Sequence, residues 1–399
     1  MTGLIDAAYA RGLEVNFVHH MSDISLDILR HLPEWSEADG VKLPTTTLKQ
    51  PQCARLGLSE VGGDPHVDVY RSPLNPVFLD LVETSFRAHI EAYPNIEYYG
   101  LTQSEFPPGG AGVKECWDAL DAKYGIEEKF PLAELEEKAR NTKVRNLMSQ
   151  ERMVTELYGA IQTLRMFDIL LNERRVIETS GNPKAKLIGT FMNEYLQPVV
   201  PLIMPAEKFE FLAIIDYLPA HVAERMHTLS FVKETPLSVS MITTIEDDNV
   251  GFFPQLVTQS LHKIVRGMRE YGLEGFWFRQ FDISEHEPSM YYMARAGWDE
   301  TVTPESAYEE FISRVCGRGA VGDALQAFNT VESLEEKSNT LCGAGFLMPN
   351  LYSKFWTGGY DTAARERFIA YTEHVKPILH AMEGVLEMTR RVFVCRIRV

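Results

Sequence analysis

Apolar residues recur along the chain with two periods. Between residues 76 and 93, Val77, Phe78, Leu81, Val82, Phe86 and Ile90 fall three or four apart, on one face of a helix. Pro76 suits the first turn of that helix. Six shorter runs, 14–20, 96–102, 186–192, 210–215, 237–244 and 275–278, are too brief for helices and rich in β-branched and aromatic residues. Each is predicted as a strand. Helix-length segments lie among them, at 4–11, 113–124, within 132–177 and at 255–271. The last carries Leu256, Leu261, Ile264, Val265 and Met268 as its buried stripe, with Gly272 placed to stop it. Strands alternating with helices predict an α/β fold with a parallel sheet.

From residue 289 the strand signals vanish. Residues 289–298, 303–316, 320–340 and 362–389 read as helices, and 391–399 as a short terminal strand. Thr303 with Ser306 is placed to cap one helix, with Pro304 in its first turn. The pattern predicts a (β/α)8-type barrel over residues 1–288 and a mainly helical C-terminal domain over 289–399. Eight strands are required and six are found, so the barrel is expected to lack its first two strands. A partner chain, a second copy in a homodimer or an unusual N-terminal pairing would then complete it; a weak strand within 33–75 is the alternative. The Pro- and Gly-rich stretch 33–76 is long for a connection and is expected to form a rim or lid.

Composition narrows the function classes. The chain has 399 residues, 45% of them hydrophobic, enough for a large core and for two domains. With 56 acidic and 39 basic residues, its net charge of −17 opposes nucleic acid and anionic membranes as partners. Cys53, Cys116, Cys316, Cys342 and Cys395 are scattered and odd in number, which argues against a disulfide framework or a zinc site. No run reaches membrane-spanning length and the N-terminus lacks a continuous apolar stretch, so a cytoplasmic protein is expected.

The candidate chemistry lies where the strands end. Glu105 follows the second strand, Asp216 the fourth and Glu246 the fifth. The C-terminal ends of barrel strands are where such folds build active sites. Glycosidic cleavage needs one carboxylic acid to protonate the leaving oxygen and a carboxylate to activate water or attack carbon. Glu105 stands beside Tyr98, Tyr99 and Phe106, whose bulk would desolvate it and keep its proton. His19, His20, Gln103, Glu194, Arg279 and Gln280 also close strands and are candidates for binding hydroxyl or carboxylate groups. Trp277 could stack on a sugar ring or serve the core. Arg279, with Lys114 and Arg71 as weaker candidates, would suit a substrate carboxylate; it could equally balance Asp282 or Glu246.

Three of these segments together resemble the xylan α-glucuronidases of bacteria and fungi. Gln103-Ser104-Glu105-Phe106-Pro107-Pro108-Gly109 is similar to the Asn-Ser-Glu-x-x-Pro-Gly segment that carries that family's general acid. Residues 210–219, with Asp216 before Tyr217-Leu218-Pro219, are similar to the strand ending in its catalytic aspartate. Thr244-Ile245-Glu246 is similar to the next strand, which ends in Thr-Gln-Glu. The resemblance implies a barrel glycosidase with a helical C-terminal domain, Glu105 as general acid, and Asp216 with Glu246 positioning and deprotonating water, with inversion. It covers three short motifs and the general layout. The family's N-terminal α/β domain has no counterpart, and Phe106-Pro107 replaces a Gly-Gln.

The expectation is therefore a glycoside hydrolase acting on an oligosaccharide, with no cofactor and no metal. Two alternatives stay open: a non-catalytic carbohydrate-binding barrel, and a metal-dependent barrel hydrolase using Asp216, Glu246, Asp247 and Asp248. Ligand binding without turnover favours the first, and loss of activity to a chelator the second.

Overall fold

The computed structural model describes residues 2–20, 73–102, 112–142, 150–191, 193–245, 256–279 and 283–333, together with the single positions 373 and 376. The elements in chain order are α1 (Thr2–Tyr9), β1 (Asn16–His20), α2 (Pro76–Ala92), β2 (Tyr98–Thr102), α3 (Val113–Tyr124), α4 (Leu132–Asn141) and α5 (Gln150–Asp168). After a π-helical turn, Ile169–Glu173, come β3 (Lys186–Phe191), α6 (Val200–Ile203), β4 (Phe209–Ala213), α7 (Pro219–Arg225) and β5 (Val239–Thr244). The remainder is α8 (Thr258–Tyr271), β6 (Gly275–Arg279), α9 (Ile283–Ala296), α10 (Pro304–Val315) and α11 (Val321–Glu332).

All six predicted strands form within one or two residues of their expected limits. β1 to β5 pair in parallel in sequence order, with Asn16 opposite Tyr98, Tyr98 opposite Lys186, Leu187 opposite Phe209 and Phe211 opposite Val239. β6 follows β5 in the sheet order. Parallel neighbours need crossover connections, and the helices between strands supply them. The chain is thus a parallel α/β protein. Of the region expected to be helical, the described part to residue 333 is helical; residues 334–399, apart from positions 373 and 376, lie outside the described residues, as does the expected lid at 33–72.

Two compact units divide the chain. One comprises Met1–Val144, Met148–Ile215 and Thr228–Met241; the other comprises Arg145–Leu147, Asp216–His227 and Ile242–Val399. In the first, α2 buries Phe78, Val82, Phe86 and Ile90 of the stripe read from the sequence, with Leu81 half-buried and Leu79 buried beside them. Phe86 meets Tyr99 of β2 edge to face, with ring centroids 6.0 Å apart. α3 and α5 are joined by Asp168, which is fully buried. Its carboxylate accepts from Lys123 Nζ at 2.8 Å, Tyr124 Oη at 2.5 Å, Asn172 Nδ2 at 2.9 Å and Arg165 Nη1 at 2.6 Å. Burial alone would raise its pKa, but these donors hold it below the ordinary carboxylate value.

The second unit contains α7 to α11. α8 buries Leu261, Ile264, Val265 and Met268 of its predicted stripe, while Leu256 is buried just before the helix begins, and Gly272 ends it in the left-handed conformation at φ 80°, its N–H on Met268 O. Thr303 and Ser306 form the expected reciprocal cap of α10. Tyr308 and Ile312 of α10 pack with Ala320 and, from α11, with Leu325 and Phe328. No helix among the described residues is long and apolar enough to cross a membrane.

Candidate active site

β4 is almost wholly apolar, and Ile214 and Ile215 extend its buried course to Asp216. Pro219 then opens α7, its fixed φ fitting a first turn. The short segment Tyr217-Leu218 therefore carries the chain from strand to helix, and Asp216 organises it. Its Oδ1 accepts the backbone N–H of Tyr217 at 2.7 Å and of Leu218 at 3.3 Å. Its Oδ2 accepts from Nδ1 of His221 at 3.0 Å and from Nη2 of Arg225. His221 and Arg225 lie four apart, so both point to the same face of α7 and reach back to one carboxylate.

Burial opposes the charge on Asp216, but the His221 hydrogen bond and the Arg225 guanidinium outweigh it, and the carboxyl is held below its ordinary value. An ionised carboxylate only accepts hydrogen bonds, so the His221 proton on this contact sits on Nδ1. The other ring nitrogen, Nε2, is then an acceptor in the neutral ring. His221 is 4% exposed, and Nε2 has no hydrogen-bond partner among the described residues. Nearby in the same unit, the Thr244 hydroxyl donates to Tyr217 O, tying the end of β5 to the turn after β4. Thr243 is fully buried, and its hydroxyl has no partner among the described residues.

The other predicted residues are placed as follows. Glu194 lies after β3 in the first unit at 1% exposure, within a buried polar group rather than on an open rim. Beside it Asn193 donates to Met153 O at 3.3 Å and accepts from Tyr195 N at 3.1 Å, while Gln197 Nε2 donates to Ile214 O at 2.6 Å. Trp277 on β6 is 38% exposed and so is not a core residue. His19 and His20 end β1 and Arg279 ends β6; the structure describes their backbone but not their side chains. Lys114 is exposed and paired with Asp118 at 2.6 Å. Gln103, Glu105, Glu246, Asp247, Asp248, Gln280 and Arg71 lie outside the described residues.

Asp216 is thus described together with two partners that the strand-end pattern did not single out, His221 and Arg225. A signal for them was present: a His and an Arg at helical spacing, directly after a strand-end aspartate. Among the described residues no three His, Cys, Asp or Glu side chains gather as a metal site. Cys116 and Cys316 are free thiols, and burial pushes Cys116 up to about 12. No protein-family model matches the chain, and neither a curated protein nor a solved structure matches it.

Proposed function

We propose that the protein is a glycoside hydrolase on a barrel-type α/β scaffold with a helical C-terminal domain. It cleaves a glycosidic bond by a carboxylic general acid and carboxylate-activated water, and its substrate is an oligosaccharide bearing an α-linked uronic acid. The observation that carries this reading is Asp216: a half-buried carboxylate, just beyond a parallel strand, kept ionised by His221 and Arg225. Glycoside cleavage passes through an oxocarbenium-like transition state, and a fixed, pre-oriented anion stabilises the positive charge that develops there. Because Asp216 already accepts four donors, its part is electrostatic and positional rather than that of a free base.

Glu105 is the general acid in this proposal, and Glu246 orients the attacking water. Arg279 pairs with the substrate carboxylate, His19, His20, Gln103 and Gln280 serve substrate hydroxyls, Glu194 supports the site from its buried polar group, and Trp277 offers an exposed ring face to a sugar. No cofactor is invoked. The free thiols Cys116 and Cys316 are in keeping with a reducing, cytoplasmic setting.

The test is hydrolysis of a panel of glucuronic-acid-bearing oligosaccharides and neutral aryl glycosides, with NMR following the anomer released. Native protein should release the uronic acid as the inverted anomer. Glu105→Gln should lose that activity by orders of magnitude with its fold intact. Normal turnover by Glu105→Gln would end the assignment; release from neutral glycosides alone would replace the substrate class.

A further inference from the structure

We propose that His221, in place of a carboxylate, is the proton acceptor for the attacking water, and that Asp216 is the residue that positions it. This rests on the glycoside hydrolase reading, but its residues all belong to one unit and its geometry is independent of Glu105. Four observations converge. Asp216 Oδ2 receives His221 Nδ1 at 3.0 Å, which fixes the ring and selects the tautomer with the proton on Nδ1. Nε2 is buried and has no hydrogen-bond partner among the described residues. Buried polar atoms are nearly always paired, so such an acceptor asks for a group that the described residues do not supply. A substrate-bound water, donating one hydrogen bond, satisfies it.

The third observation is the state of Asp216 itself. Two backbone N–H groups, an imidazole and a guanidinium occupy its oxygens, and its pKa is lowered. A carboxylate so engaged is a poor base, since taking a proton would break these bonds. The fourth is location. His221 stands in the first turns of α7, immediately after the C-terminal end of β4, where open and closed parallel α/β folds alike place their reacting groups.

The step balances simply. The water oxygen bonds to the anomeric carbon while one of its protons passes to the Nε2 lone pair. The glycosidic C–O electron pair leaves with the departing oxygen, which takes the proton of the general acid. The imidazolium formed is stabilised by Asp216 and returns its proton to solvent. Asp216 touches no reacting atom and acts through the ring.

Two measurements test this. Selective 15N labelling of histidine and long-range 1H–15N NMR should show the neutral His221 ring protonated on Nδ1 in the native protein, and mixed tautomers in Asp216→Asn. A native ring protonated on Nε2 overturns the proposal whatever the activity. In hydrolysis, His221→Ala should lose about a hundred- to ten-thousand-fold in kcat, and added imidazole should restore part of it. His221→Gln should stay defective without rescue. Normal rates in both variants, with Glu105→Gln inactive, would overturn the role of His221 and leave the hydrolase reading standing. Loss in His221→Ala with no imidazole rescue and an unchanged tautomer in Asp216→Asn would make the residue a purely structural one. Activity in Glu105→Gln would remove Glu105 as the general acid, no hydrolysis by the native protein would remove the hydrolase reading, and in either case the tautomer would still report on His221.

Discussion

Among single residues, Glu332 is where burial most visibly changes chemistry. It closes α11 at 7% exposure and accepts from Tyr308 Oη at 2.9 Å and from the backbone N–H of Gln259 in the first turn of α8. Tyr308 Oη and Thr258 Oγ1 are also hydrogen-bonded, at 2.6 Å, and Thr258 bonds Ser289 Oγ at 3.0 Å. Burial is the largest influence on Glu332 and pushes its pKa up. The charge of Glu305 adds to that, the two donors oppose it, and the result is about 7 against 4.5. Folding therefore favours the protonated form. The stability this contributes is complete below about pH 4.5 and is lost as pH rises through about 7, on the order of 3 kcal/mol in all. Glu332→Gln removes the titration. In urea unfolding it should match the native protein near pH 4.5 and exceed it near pH 8. An equal difference at both pH values would refute this account. Glu332 was not legible beforehand, because it depends on what a distant segment brings to it; His221 stands five residues from its partner, and its signal lay in the local spacing. Asp216 was legible, since a charge closing an apolar run is a local pattern.

At the level of elements, periodicity carried most of the information. The strands, the buried stripe of α8 and the cap of α10 all depend on spacings within about ten residues, and they form as expected. What spacing did not show is how tightly neighbours meet. Gly189 sits mid-strand in β3, where glycine is ordinarily unfavourable. The structure supplies the reason. A Cβ there would lie 2.6 Å from Phe167 Cε2 of α5 and 2.6 Å from Phe209 Cε2 and Cζ of β4. Both rings are fully buried, with centroids 5.8 Å apart, so neither can move aside without disturbing the first unit's core. Gly189→Ala should therefore destabilise by about 1–3 kcal/mol through overpacking, and Gly189→Val by more. Thermal and urea unfolding measure it directly. A neutral or stabilising Gly189→Ala would show that the rings yield and that this face of the sheet is loosely packed.

Over the whole molecule, the sequence order of elements does not follow the division into units. Residues 228–241 return to the first unit after 216–227 have joined the second. Local patterns carry no record of which distant segments condense together. Net charge is a whole-molecule quantity that does survive in the sequence, and it bears on the proposed substrate. At −17 the protein sets up a negative field that a uronate-bearing oligosaccharide must enter. A local cation such as Arg279 acts at short range, where salt screens little, whereas the field of the surface acts over distances that salt does screen, about 10 Å at 0.1 M ionic strength. Raising salt from about 0.01 to 0.3 M should then remove more repulsion than attraction. The expected result is a severalfold rise in kcat/KM for the uronate-bearing oligosaccharide, carried by KM, with no comparable change for its neutral counterpart. A fall with salt for the uronate would mean that cations around the site dominate the approach. A flat response in both would mean that the carboxylate is not recognised, and the substrate would have to be sought among neutral sugars.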